Sequence, residues 1–125
     1  MTRKILLVDD STTILMGVGD ILARAGYAVE TAGDGVQAMT KLRGGYKPDL
    51  IVTDVNMPQM DGLTLIKEVR KAPGLRFTPV LVLTTESQQA KRDEARASGA
   101  TGWIVKPVSA QDLLKTVGHV LPLAA

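Results

Sequence analysis

Four short apolar runs, each followed at once by a polar residue, constrain this chain more than any other feature. They are Ile5–Val8, Leu50–Thr53, Val80–Leu83 and Gly102–Val105. Continuous runs of this length, rich in β-branched residues, read as strands buried on both faces, as in a parallel sheet covered by helices. A weaker fifth run, Ala28–Thr31, alternates and suits a sheet edge. The segments between them carry helical spacing. Ile14, Val18, Ile21, Leu22 and Ala25 share one face, with Gly26 placed to stop the helix. Val36, Met39 and Leu42 form a second stripe, closed by Gly44-Gly45, and Leu63, Ile66, Val69 and Arg70 mark a third. Leu113, Leu114, Val117, Val120 and Leu121 line the last helix, which opens with Ser109 and Asp112 in capping-box spacing.

The fourth helical segment, from about Gln88 to Ser98, has only Ala90, Ala95 and Ala97 as apolar residues. It can bury little area, so it is expected to dock weakly and to be a moving part. Strict alternation gives (βα)5, and right-handed crossovers favour a doubly wound sheet over a barrel. At 125 residues, one domain spanning 1–125 is expected, with no effector domain.

Composition removes several classes. Without cysteine there is neither a disulfide framework nor a thiolate metal site. The apolar run of four residues before Asp9 is too short for a signal peptide or a membrane span, which predicts a soluble cytoplasmic protein. The net charge of +2 is not gathered into a run, and four aromatic residues leave little for base stacking, so nucleic acid is not an expected partner.

The strand ends carry the chemistry. Asp9 and Asp10 follow the first strand, Asp54 the third, Thr84 and Thr85 the fourth, and Lys106 the fifth. Ligands of such sheets bind outside the carboxyl ends of the strands. Two carboxylates about 4 Å apart repel by roughly 4 kcal/mol at an effective dielectric near 20. Three carboxylates against one ammonium therefore either retain a proton or bind a cation. Oxygen-only donors favour a hard ion, and Mg2+ held by carboxylates, water and a phosphate oxygen is the natural choice. Asp10 taken alone reads equally as a turn former or helix cap, a role open also to Ser11 or Thr12.

These residues lie in motifs that resemble the receiver domains of two-component response regulators. The motifs are Leu7-Val8-Asp9-Asp10-Ser11, Thr53-Asp54-Val55-Asn56-Met57-Pro58 with Asp61-Gly62, Leu83-Thr84-Thr85-Glu86, and Gly102-Trp103-Ile104-Val105-Lys106-Pro107. As a single domain the chain is similar to the CheY-like chemotaxis subclass. The resemblance implies a flavodoxin-like strand order 2-1-3-4-5 and a monomer. It makes Asp54 the phosphoacceptor, served by a histidine kinase. Asp9, Asp10, Asp54 and the Asn56 carbonyl would hold Mg2+. Thr84 and Lys106 would contact the phosphoryl group, with a cis Lys106–Pro107 peptide. Trp103 stands where the family carries an aromatic switch, usually Tyr or Phe; an ordinary packing role is the other reading. Asn56 and Glu86 would tune hydrolysis of the aspartyl phosphate, and both being polar predicts a labile phosphate.

The output stays open: the flagellar motor switch, a phosphate sink or phosphorelay adaptor, or another signalling protein. A small Mg2+-dependent phosphatase with an aspartate nucleophile is a further alternative. It would want Asp-x-Asp after the first strand, where this chain has Asp9-Asp10-Ser11-Thr12. No phosphate-binding glycine loop for nucleotides is present. His119 reads as a surface residue rather than a second phosphorylation site.

Overall fold

The computed structural model describes residues 2–55, 60–84, 89–106 and 108–121, with residues 89–92 as backbone alone. Five strands alternate with five helices: β1 (Lys4–Val8), α1 (Thr12–Arg24), β2 (Ala28–Ala32), α2 (Gly35–Arg43), β3 (Leu50–Asp54), α3 (Gly62–Lys71), β4 (Val80–Thr84), α4 (Gln89–Ser98), β5 (Gly102–Val105) and α5 (Ala110–Val120). The strands form one parallel sheet in the order β2-β1-β3-β4-β5. The doubly wound, flavodoxin-like architecture expected from the sequence is the one found.

Side chains alternate across a strand, so each apolar run supplies both faces. Ile5, Leu7, Leu50, Val52, Leu81 and Leu83 join Val18 and Leu22 of α1 and Leu113 and Val117 of α5 in one core layer. Their neighbours Leu6, Val8, Ile51, Val80 and Val82 join Met39 and Leu42 of α2 and Leu65, Ile66 and Val69 of α3 in the other. Burying each such side chain contributes roughly 1.5–3 kcal/mol, so these two layers are the main stabilising term.

Helix starts are fixed by short polar side chains. Ser11 accepts from the Ile14 amide (3.3 Å), Asp34 from Gln37 (2.8 Å), Asp61 from Thr64 (2.8 Å) and Ser109 from Asp112 (3.1 Å). Each satisfies an otherwise orphan amide and is worth about 1 kcal/mol. Ser11, not Asp10 or Thr12, is therefore the cap of α1. Gly26 takes φ 106° just past that helix, as its position after the apolar stripe anticipated.

Several expectations need correction. β5 is not buried on both faces: only Ile104 is buried, and Val105 is 43% exposed, because β5 is an edge strand. Val36 is exposed, whereas Ala38 and Leu65, outside the expected stripes, are fully buried. Asp54 and Thr84 are the last residues of their strands rather than the first residues beyond them.

The fourth helix carries the sparse apolar content its composition implied. Among its described side chains only Ala95 is buried. Its C-terminal end is held by Arg70 of α3, whose Nη2 and Nε donate to the Gly99 carbonyl (2.7 and 3.2 Å) while Nη1 donates to Thr78 (2.6 Å).

Candidate functional site

Strand register assembles the site. Val8 pairs with both Ala32 and Thr53, and the Asp9 amide donates to the Ala32 carbonyl at 3.1 Å. Asp9 is thus delivered to the carboxyl edge beside the end of β3. Asp54 pairs with Leu83, one residue before Thr84, and the Lys106 amide donates to the Thr84 carbonyl at 2.7 Å. Strand order reverses between the parallel neighbours β1 and β3, the switch point where open α/β sheets place ligands.

Asp9, Asp10 and Asp54 converge there, with one oxygen of each lying within 4.8 Å of the others. Asp9 is fully buried and Asp54 is 7% exposed, whereas Asp10 faces solvent. Lys106 bridges two of them: its Nζ lies 3.1 Å from Asp9 Oδ2 and 3.3 Å from Asp54 Oδ1. Asp9 Oδ1 accepts from the Ser11 amide (2.9 Å), which orients the carboxylate and begins the turn into α1. Asp54 Oδ1 also accepts from the Val55 amide (2.8 Å). Among the described residues, both contacts of the Asp54 carboxylate fall on Oδ1.

The electrostatics are those of a cation-seeking pocket. Burial, reinforced by the negative charge of Asp9, raises the Asp54 pKa above the usual carboxylate value; Lys106 and the Val55 amide oppose this without reversing it. Burial alone would pull the Lys106 ammonium down, but its hydrogen bond to Asp9 and the charges of Asp54 and Asp9 hold it above its ordinary value. Among the described residues, three carboxylates against one ammonium leave negative charge uncompensated. Oxygen-only donors with an exposed member, Asp10, fit a hard divalent ion that keeps part of its water shell. The donor set therefore suits Mg2+.

Two residues outside this cluster bear on it. Gly62 opens α3 with its amide donating to the Val55 carbonyl (2.9 Å), and a Cβ there would collide with the Asp54 carbonyl oxygen and stand 3.0 Å from Val55 Cα. Only glycine lets α3 begin this close to the end of β3. Trp103 is half-buried and packs beside the α2–α3 core layer, with the Arg96 guanidinium carbon 5.1 Å from its ring centroid. That is cation–π distance, and it ties α4 to β5.

Of the residues expected from sequence, Asp9, Asp10, Asp54, Thr84 and Lys106 come together, and Thr84 is 4% exposed at the end of β4. Trp103 stands three residues before Lys106 on the edge strand. Asn56, Glu86 and Pro107, and with them the expected carbonyl ligand, the tuning positions and the cis peptide, lie outside the described residues. His119 is exposed on α5, consistent with a surface residue. Sequence reasoning missed three contributions. The Val55 and Ser11 amides carry no side-chain signal, and Arg96 stacking on Trp103 joins residues from separate elements. The Asp61-Gly62 pair was visible as a motif, but not the reason for its glycine.

No helix among the described residues is long and apolar enough to cross a membrane. Residues 5–118 match the response regulator receiver domain family. The chain is 38% identical over 119 residues to chemotaxis protein CheY1 of Helicobacter pylori, covering 94% of this chain and 96% of that one. It is 37% identical to the transcriptional regulatory protein PdtaR of Mycobacterium tuberculosis over 92% of this chain, spanning 55% of that longer protein. Among solved structures, chemotaxis protein CheY4 of Vibrio cholerae superposes with a TM-score of 0.93 at 47% identity, covering 97% of this chain and 100% of that one. A sheet-edge carboxylate cluster bridged by Lys106, in a fold and sequence shared with these proteins, establishes that the chain belongs to the response regulator receiver domain family.

Proposed function

We propose that this receiver domain accepts a phosphoryl group on Asp54 from a histidine kinase, and that the modified surface of α4, β5 and α5 then controls a protein target, most plainly in chemotaxis. The observation that carries this reading is the single ammonium of Lys106 lying within 3.3 Å of both Asp54 and Asp9. It can leave one carboxylate to follow charge that develops on the other.

The Asp54 carboxylate attacks the phosphorus of a phosphohistidine. The new P–O bond forms as the P–N bond breaks, and the imidazole departs to be reprotonated from solvent. A divalent ion held by Asp9, Asp10, Asp54 and the Asn56 carbonyl would neutralise charge on the transferring phosphoryl oxygens. The remaining work is positioning by this chain's own groups. Asp9 is oriented by the Ser11 amide, Asp54 by the Val55 amide, and Lys106 by its backbone bond to Thr84. Asn56 and Glu86 are proposed to shape the approach of the water that later hydrolyses the aspartyl phosphate, returning the carboxylate.

Phosphorylation adds acceptor oxygens and negative charge at Asp54. Thr84 and Lys106 can each make a charge-assisted hydrogen bond to that group, worth about 1.5–3 kcal/mol. Reversing a 1:99 conformational equilibrium takes about 5.5 kcal/mol. Two such bonds therefore shift a poised equilibrium but not a rigid one. The sparse burial of α4 among the described residues, Ala95 alone, with the Arg70 grip and the Arg96–Trp103 stack at its C-terminal half, supports a poised helix.

The test is phosphotransfer. A histidine kinase carrying labelled phosphohistidine should lose label to the wild-type chain in the presence of Mg2+, and not to Asp54→Asn. Label passing equally to both proteins would refute the assignment. Binding of a motor-switch peptide only by the phosphorylated form would support direct motor control; equal binding by both forms would sink that output.

A further inference from the structure

We propose that the end of the molecule opposite Asp54 is a docking surface for an acidic peptide segment that inserts an apolar side chain. The proposal does not depend on phosphorylation. The loops between α2 and β3 and between α3 and β4 enclose a cleft of about 330 Å³ whose lining includes Leu42, Arg43, Lys47, Ala72, Pro73 and Leu75. Leu42 and Leu75 are buried and form an apolar floor. Arg43 and Lys47 are exposed at the rim. The volume sits at the small end of ligand pockets, roughly 300–1,000 Å³, and suits a peptide side chain better than a cofactor.

The rim cations are available. The Arg43 contact to Glu68 is long, 3.9 Å, and its side chain is 66% exposed, so little of its charge is committed. Lys47 forms no salt bridge among the described residues, and its Nζ lies 3.4 Å from where a Cβ on Gly74 would stand, which places it against the second loop. The nearby carboxylate of Asp49 is engaged by the Lys4 amide at 2.8 Å. Lys71 and Arg76 add exposed positive charge on the same side.

Basic residues at helix C-termini usually offset the helix dipole, and that accounts for Arg43 and Lys71. It does not account for Lys47 and Arg76, which lie in loops, nor for Phe77, which is 88% exposed beneath the Arg76 guanidinium at 5.6 Å. The opposite end of the sheet gathers three carboxylates around Lys106, whereas Arg43, Lys47, Lys71 and Arg76 are exposed at this one. The topology collects cations that lie far apart in the chain, and an acidic segment is their complement. An apolar floor with one protruding aromatic is not a stacking platform, which favours peptide over nucleic acid.

The test is fluorescence anisotropy of the full chain against a short labelled peptide of alternating glutamate and leucine. Saturable binding that weakens with salt, and weakens about tenfold in Lys47→Glu and in Arg43→Glu, is expected. Asp54→Asn should bind unchanged, which separates this surface from the phosphoacceptor site. Both charge reversals are at exposed positions, and circular dichroism checks that the variants fold. The proposal is overturned by absent binding, by equal binding of a glutamate–serine peptide, by tighter binding of an oligonucleotide or anionic vesicles, or by indifference to both reversals.

Discussion

Replacing Asp54 by asparagine should make the metal-free protein more stable, although the residue is the proposed centre of function. The carboxylates of Asp9 and Asp54 present oxygens within 4.8 Å, which gives a repulsion of at least roughly 3.5 kcal/mol at an effective dielectric near 20. Lys106, 3.3 Å from Asp54, returns roughly 5 kcal/mol on the same scale, but that ammonium also serves Asp9 at 3.1 Å and keeps this partner in the variant. Desolvation of a carboxylate only 7% exposed then decides the sign, and its raised pKa says that the charged form is net unfavourable in the fold. A carboxyl group whose folded pKa lies above its unfolded value holds its proton more tightly when folded. Its contribution to stability is therefore complete below the unfolded pKa and is lost as pH rises through the folded one. Asp54→Asn removes that loss. At neutral pH with a chelator, we expect a gain of about 1 kcal/mol, or roughly 3–6 °C in Tm for a chain of this size. The wild-type-minus-variant difference should vanish in acid and grow as pH rises through the folded pKa. With saturating Mg2+ the order should narrow or reverse, since a ligand at a hundred times its Kd stabilises by about 2.7 kcal/mol. Thermal melts of both proteins across pH, with chelator and with Mg2+, make the comparison. A variant less stable than wild type in chelator at neutral pH would refute the electrostatic reasoning.

Other consequences are equally direct. Lys106→Met removes a charge-assisted bond of about 1.5–3 kcal/mol to the transferring group, so phosphorylation by a small phosphodonor should slow roughly ten- to hundredfold in a rapid-quench assay. Arg70→Ala strips the charged donor from the Gly99 and Thr78 carbonyls, and urea denaturation should register a loss of about 2–3 kcal/mol. Trp103 fluorescence should change on phosphorylation if the Arg96 stack is part of the switch, and Arg96→Ala should blunt that change; an unaltered spectrum on full modification would remove Trp103 from the switch.

The fold was legible because four apolar runs supply both faces of a sheet, a pattern few other architectures tolerate. The site was legible for a related reason: once the runs are strands, Asp9, Asp54, Thr84 and Lys106 share one edge by topology alone. The status of β5 was not legible from its residues, since Ile104 and Trp103 look as apolar as any central strand while edge placement leaves Val105 exposed. Nor were contacts made by backbone amides or by long side chains crossing between elements, such as Arg70 reaching Gly99. Periodicity reports which face is apolar, and it is silent on what a guanidinium grips.

The central claim is that Asp54 is the phosphoacceptor. Intact-mass and peptide-mapping mass spectrometry after incubation with a small phosphodonor and Mg2+ test it most directly. The account predicts one added phosphoryl group, mapped to Asp54, absent in Asp54→Asn and abolished by chelator. A phosphoryl group retained in Asp54→Asn, or mapped to any other residue in the wild type, would contradict it.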